Sequence, residues 1–525
     1  MSFFPSVLDN MYAVIRDHLL QWPLSMNACM AIFLAIAIVC ILNKTSHKKP
    51  PYPPGPKPAP LIGNVRQLPG HNLEDKFMEW GSEHGDVLHL QIFSSHMIVL
   101  NSLQAAKDLL EQRSSIYSDR PRFVLLSELM GWKSASTHVH YGPRFRKHRK
   151  FINTIFNPQA ASVFREMQEK ERVYLIESLL QEPDRYLDHY RRFVSSIVLK
   201  LVFGREVTSV DDVYVQLSTR AGTLTVEAAT PSANLVDFFP ALRHIPLWMP
   251  FSGFKIKALK VRQAVEEMIE VPFKELWESF RAGTAPPCYT TSLLEQHVTD
   301  DGKLSLDDEE DIKGSAGTLL SGFTVGTTHG FTLAMVQFPE VFKKAQEEMH
   351  RVVGLERLPT FDDRSSLPYL ECVVKEVIRW NPTIPLGFPH RLMEDDIYQN
   401  HLIPGGSTVI SNIYCILRTC DRPNDFYPER YLSKNDLLDP FEIIFGFGRR
   451  ACPGKSLAET SYWLIAATLV SAFDVLTLRD KHGDDLNKEY GFLNGFVRYP
   501  FVCSIKPHSS NVPTLVVQAK TDLNI

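Results

Sequence analysis

Residues 445–454 read Phe-Gly-Phe-Gly-Arg-Arg-Ala-Cys-Pro-Gly, which sets one cysteine among glycines, beside two arginines and just ahead of an apolar stretch. A sulfur meant to ligate iron has to stay deprotonated and partly shielded. It therefore needs backbone N–H donors, an unobstructed turn and the positive N-terminal end of a helix. Gly446, Gly448 and Gly454 permit such a turn and let the backbone approach Cys452, Phe445 shields the sulfur from water, and a helix is expected from about Lys455. A Cys-Pro-Gly alone is most simply an inert buried thiol. The ten-residue setting is what points to a thiolate ligand.

Three other groups carry chemistry. Glu376 and Arg379 stand three residues apart on a helix opened by Leu367-Pro368-Tyr369, so they share a face, with Leu370, Val373, Val374, Val377 and Ile378 along the apolar one. An exposed pair at this spacing contributes only ~0.2–0.5 kcal/mol, so burial decides whether it matters. Thr324, Thr327 and Thr328 place hydroxyls in an apolar helical stretch, where plain packing with back-bonding to the i−4 carbonyl is the simpler role. Residues 141–150, Tyr-Gly-Pro-Arg-Phe-Arg-Lys-His-Arg-Lys, form the strongest basic cluster. A solvated helix face is its default reading, and a docking surface for an acidic electron donor is the alternative.

Phe445, Gly448, Arg450, Cys452 and Gly454 match F-x-x-G-x-R-x-C-x-G, so the loop resembles the haem-ligand loop of the cytochrome P-450 family. Glu376-x-x-Arg379, then Phe-Tyr-Pro-Glu-Arg-Tyr (426–431), then the cysteine loop follow that family's order, and residues 369–382 resemble its fungal microsomal type. The resemblance covers roughly residues 50 to 510. It implies a mainly α-helical fold with small β-sheets, the cytochrome P-450 fold, holding haem b with Cys452 as the axial iron ligand. By the same resemblance Arg450 meets a haem propionate, and Glu376, Arg379 and Arg430 form a buried structural triad serving haem incorporation. The segment 384–389 lines the substrate pocket and delivers His390 or Arg391 to a propionate, and Phe492–Val497 is the last substrate-contacting turn. Arg149 takes the arginine position of the family's W-x-x-x-R helix, but Phe145 stands where tryptophan is usual. Without an indole N–H, Arg149 and His148 are left to carry that propionate contact.

The distal helix of the family usually shows A/G-G-x-D/E-T, and here no Asp or Glu occurs between Asp311 and Glu340. Thr324, Thr327 and Thr328 are the candidates for the oxygen-side hydroxyl, and the acid of the proton relay is missing. The implied activity is mono-oxygenation of a lipophilic small molecule, with a terpenoid-like secondary metabolite as the expected scaffold. Electrons are expected from NADPH through a separate NADPH-cytochrome reductase, since the chain has no dinucleotide fingerprint. The acid-free helix keeps two alternatives open: a haem-thiolate isomerase, dehydratase or peroxide-using enzyme, and a non-enzymatic haem-binding membrane protein.

The elements that must position these residues are legible along the chain. Residues 24–42 are uncharged and close to the ~20 residues that cross a bilayer, and Lys44, Lys48 and Lys49 follow directly. One N-terminal transmembrane helix is expected, within an anchor at 1–49. The basic flank places all that follows on the cytoplasmic side, which for this family type means the endoplasmic reticulum membrane. Residues 50–60 are too proline-rich to be helical and form a stiff spacer, with the catalytic domain at 61–525. Residues 86–100 read as a β-hairpin, and helices are expected around 103–113, 158–180 and 255–282. Ser305 and Asp308 form a near capping box that starts a long helix at Leu306, expected to run unbroken towards Phe338-Pro339. Pro339 opens another helix that Gly354 closes.

With 56 Lys and Arg against 60 Asp and Glu, the net charge of −4 carries no nucleic-acid signature. Eight cysteines, at 29, 40, 288, 372, 415, 420, 452 and 503, show neither a C-x-x-C pair nor zinc spacing, which argues against a disulfide framework.

Overall fold

The computed structural model describes residues 50–525 apart from 157–160, 229–233, 323, 433–436, 479–491, 494–496 and 499–500. The predicted span at 24–42 and the turn within 492–497 lie outside the described residues. Among the described residues no helix is long and apolar enough to cross a membrane. Among the described residues two compact units are present, one of Asp396–Ile403 with residues 50–52, the other of Pro53–Asp395 and Pro404–Ile525. In the first, strands at Asp396–Tyr398 and His401–Ile403 pair antiparallel, and Leu402 N–H donates to Pro51 O at 2.8 Å.

In the second unit helix α1, Leu73–His84, precedes the expected hairpin, strands β1 (Val87–Ile92) and β2 (Ser95–Leu100). These join Thr408–Ser411, parallel to β2, and His390–Arg391 into a four-stranded sheet. Leu88 and Leu90 of β1 share one face with Val99, the partner of Leu88 on β2, and all three are fully buried in one cluster. Near 103–113 the helix is short: Leu103–Ala106, capped by Ser102, widens into a π turn at Lys107–Gln112.

The main helices that follow are α2 (Pro143–Asn153), α3 (Ala161–Gln181), α4 (Tyr186–Phe203), α5 (Val213–Ala228), α6 (Gly253–Arg281) and α7 (Tyr289–His297). Next are α8 (Leu306–Leu320), α9 (Thr324–Gln337), α10 (Pro339–Val352), α11 (Pro368–Trp380) and, after the cysteine loop, α12 (Lys455–Ala472). Ser305 caps α8 by accepting from the Asp308 N–H at 3.1 Å, and acidic residues fill the first turn, so the predicted start at Leu306 is met. The expected single helix to Phe338 is not. It breaks after Leu320: Ser321 leaves helical geometry at φ −84°, ψ 20°, and Gly322, a poor helix former, follows.

Helices α9 and α12 are apolar all round because they run through the interior. Phe331, Leu333, Ala334 and Met335 meet Trp463, Leu464, Ala467 and Val470, all fully or almost fully buried, in the largest core cluster. Burying each large side chain contributes roughly 1.5–3 kcal/mol, so this cluster fixes the two helices between which the site lies.

Candidate active site

The cysteine loop is built by close approach. Gly448 has φ 58°, and a Cβ placed there would lie 2.0 Å from the Leu110 carbonyl oxygen, so no other residue fits. Gly446 is also left-handed, at φ 74°. Cys452 N–H donates to Phe445 O at 2.8 Å, closing the loop, and α12 starts at Lys455 as expected. From α2, Arg149 Nη1 donates to Ala451 O at 2.6 Å. The sulfur is open to an internal cavity yet enclosed by protein. Burial pushes the thiol up, while the Gly454 N–H and the Arg149 guanidinium pull the other way. A bound metal cation would supply the charge that holds this sulfur as thiolate.

The cavity, about 320 Å³, is mostly apolar, with Ile155, Val194, Val198, Leu201, Ile384 and Ile413 among its walls. One wall is cationic. Arg450 donates to the carbonyls of Ser118 (2.8 Å), Ser136 (2.9 Å) and Val139 (2.7 Å), and its guanidinium lies 3.7 Å from the Phe145 ring centroid. Phe145, at the position usual for tryptophan, thus serves as the aromatic platform under this arginine. Arg120 donates to Thr137 O, Phe388 O and Pro389 O at 3.0, 2.9 and 2.7 Å. His390, with Nδ1 at 2.8 Å from Tyr117 O, completes the wall.

Burial drives all three towards neutrality. Arg450 is brought down to about 10, with Asp119 opposing the shift; Arg120 is pushed down by burial and by Arg450; His390 falls to about 3, by burial and then by Arg120. His390 is therefore uncharged at neutral pH, and the two guanidiniums face the cavity with mostly carbonyl partners. Asp119 is the carboxylate beside them, and it already takes Arg391 at 3.0 Å and His140 at 3.0 Å.

An apolar slot with one cysteine sulfur and two buried, under-compensated guanidiniums fits haem, whose two propionates supply the missing negative charge. Cys452 would ligate the iron, and Arg450, Arg120 and His390 would hold the propionate side. Arg120 was not legible in the sequence, because a lone Arg before Pro121 has no motif, and only the fold brings it beside Arg450. Of the two basic candidates at 390–391 the structure places His390 at the cavity and turns Arg391 to Asp119.

Two expectations need correction. His148 does not line the cavity: it is fully buried, with Nδ1 at 3.0 Å from Ser136 Oγ and Nε2 at 3.1 Å from Asp311 Oδ1. Arg149 is spent on the Ala451 carbonyl, on the sulfur side. The rest of the basic cluster is divided between half-buried paired residues and exposed ones. Arg144 and Lys147 pair with Asp311 at 2.5 and 2.7 Å, and Lys147 also with Asp308 at 2.7 Å, so only Arg146 and Lys150 present exposed cations for a partner. Asp308, Glu310 and Asp311, read in the sequence only as part of a helix start, pair with this cluster across the α2 and α8 contact.

Of the three threonines, Thr327 lines the cavity and its hydroxyl lies 2.7 Å from that of Thr383, which the sequence did not single out. Thr328 is fully buried and does not line the cavity. Thr324 opens α9, and its side chain lies outside the described residues. Thr318 and Ser321, at the helix break, also line the cavity; among the described residues no carboxylate does.

The fold triad is assembled as a unit away from the cavity. Arg379 binds Glu376 through two contacts, at 2.8 and 2.9 Å, and Arg430 Nε adds a third at 3.0 Å, with all three side chains buried. The Tyr427 N–H donates to Glu376 at 2.7 Å, and the arginines reach the carbonyls of Pro423 and Asp421 at 2.7 and 2.5 Å. One helix and the 421–431 segment are tied together through a single carboxylate.

These features define a haem-thiolate fold: a cysteine loop ahead of a buried helix, a broken helix across the cavity, and a Glu-Arg-Arg anchor. The family model described as Cytochrome P450 matches residues 53–500. The chain is 38% identical over 516 residues to "Cytochrome P450 monooxygenase 136" of Postia placenta, covering 95% of this chain and 97% of that protein. It is 36% identical over 501 residues to "Cytochrome P450 monooxygenase claR" of Ampulloclitocybe clavipes, covering 92% of each chain. To "Tryptamine 4-monooxygenase" of Psilocybe cyanescens it is 35% identical over 478 residues, covering 88% of this chain and 94% of that protein. The chain belongs to the cytochrome P450 family and is an oxidoreductase of its monooxygenase class.

Proposed function

We propose that this protein oxidises a lipophilic small molecule of secondary metabolism, with O₂ and with electrons from NADPH passed through a separate reductase, while anchored to the endoplasmic reticulum membrane. The observation that carries the reading is the Cys452 sulfur opening into a mostly apolar cavity with a cationic wall. Haem bound there supplies oxygen activation, the thiolate ligand pushing electron density onto the iron. The chain's own residues enclose the substrate, exclude water and position hydroxyls at Thr318, Ser321 and Thr327. The test is reconstitution with a fungal reductase and NADPH in the presence of O₂. Substrate-dependent NADPH and O₂ consumption with one oxygen gained in the product supports the reading. An NADPH-independent rearrangement or dehydration would replace it by the isomerase or dehydratase alternative.

Among the described residues the lining holds hydroxyls and no carboxylate, and this has a kinetic consequence. Hydroxyls hold water but are poor proton sources at neutral pH, so the lining would supply protons slowly to the site and reducing equivalents would be lost as hydrogen peroxide. We expect NADPH consumption to exceed product. Gly322→Asp should raise the ratio of product to NADPH, since Gly322 lines the cavity and a Cβ there meets nothing nearer than the Leu319 carbonyl oxygen at 3.8 Å. Tight coupling in the unmodified enzyme with no gain in the variant would show that protons arrive by another route. Position 326, nearer the middle of the threonines, is a poor site for the same test because a Cβ there lies 2.7 Å from Thr383 Cγ2.

The anchor gives a second expectation. Residues 50–58 carry no helix, in keeping with a proline spacer between an N-terminal span and the body. Deleting residues 1–43 should shift the protein from the membrane pellet towards the soluble fraction with haem content retained. Loss of haem-loaded protein on deletion would make the segment part of the core.

A further inference from the structure

Substrate polarity is written into the cavity, and this inference rests on the reading of the site as a haem-thiolate oxygenase pocket. Thr327 and Thr383 both line it, with their hydroxyl oxygens 2.7 Å apart. Each hydroxyl has one donor and two acceptor lone pairs, so the contact uses one O–H and leaves the other. Neither hydroxyl has another hydrogen-bond partner among the described residues. The pair is held together by a close approach: Gly326, whose Cβ would lie 2.7 Å from Thr383 Cγ2, lets the 381–384 segment press against α9. A free hydroxyl donor is therefore presented into a mostly apolar space, an arrangement that is unfavourable until a ligand oxygen occupies it.

Charge points the same way. The ionisable side chains on the lining are Arg120, Arg450, His390, the Cys452 thiol and Tyr462, with no carboxylate among the described residues. Two propionates would balance the two guanidiniums, leaving no negative group for a cation in the remainder of the cavity. A buried ammonium without a partner is strongly disfavoured.

We propose that the pocket takes an uncharged lipophile bearing a carbonyl or hydroxyl oxygen, held by the Thr327–Thr383 hydroxyl pair, and rejects organic cations. This sets it apart from the Psilocybe cyanescens relative, whose name, "Tryptamine 4-monooxygenase", gives tryptamine as that protein's substrate. Rigid adamantane probes separate the two parts, titrated against the ferric Soret band of the haem-loaded protein. The reduced carbon-monoxide complex is recorded first for every variant. 2-Adamantanone should bind on the order of tenfold more tightly than adamantane, an advantage lost in Thr383→Val and kept in Thr383→Ser. Trimethyl(1-adamantyl)ammonium should bind on the order of a hundredfold more weakly than 1-tert-butyladamantane, its isostere with carbon in place of the charged nitrogen. Equal affinities within either pair, a ketone advantage that survives in Thr383→Val, or failure of the neutral probes to bind would overturn the assignment. Absence of the thiolate signature in the unmodified protein would instead overturn the reading of the site.

Discussion

Replacing Cys452 by serine is expected to abolish the thiolate signature of the reduced carbon-monoxide complex and all oxygenase turnover. A serine hydroxyl is protonated at neutral pH and is a poor iron ligand, and nothing else on the loop can take its place. The loop itself should survive, because its shape rests on the Cys452 N–H to Phe445 O bond at 2.8 Å, the Arg149 tie to Ala451 at 2.6 Å and the backbone of Gly448, none of which involves the sulfur. The variant is therefore expected to fold, with circular dichroism and melting close to those of the unmodified apoprotein. A thiolate-type spectrum persisting in the variant would mean that another of the free cysteines is the ligand. Among the described ones, Cys452 alone lines the cavity.

The second large effect is structural. Glu376→Ala removes the one carboxylate shared by Arg379 and Arg430 and leaves two guanidiniums buried side by side, with the Tyr427 N–H also losing its acceptor. Breaking a buried pair in this way costs about 3–5 kcal/mol, a large part of the 5–15 kcal/mol that holds a typical domain folded. Haem-loaded yield should fall to a small fraction of that of the unmodified protein. Glu376→Asp, which keeps the charge at a shorter reach, should recover part of it. Normal yield and haem content in Glu376→Ala would show that the carbonyl network of Pro423, Asp421 and Asp425 holds the segment without the acid.

The site most legible in the sequence was the one whose requirements are local. A loop that must turn sharply, approach Leu110 closely and expose one sulfur needs Gly446, Gly448, Cys452 and Gly454 in fixed order, because backbone conformation depends on immediate neighbours. The same holds for the Ser305 cap, the proline-opened helices at 339 and 368, and the hairpin of β1 and β2. The Glu376 and Arg379 pair was visible as a spacing, but its worth was not. The same two residues contribute a few tenths of a kcal/mol in water, and only the segment carrying Arg430, folded over them, turns the pair into a buried anchor.

Tertiary structure decided the partners of charges. Arg120 and Arg450 are 330 positions apart in the chain and share one cavity wall, an electrostatic arrangement that no window of sequence contains. His148 lies in a basic run that reads as a solvent-facing or propionate-facing stripe, yet helix α2 packs on α8 and delivers it to Asp311, since burial of a charged cluster demands the nearest opposite charge. The meeting of Thr327 with Thr383, 56 positions apart, belongs to the same class: how α9 lies against the 381–384 segment, not the local sequence, brings the two hydroxyls within 2.7 Å.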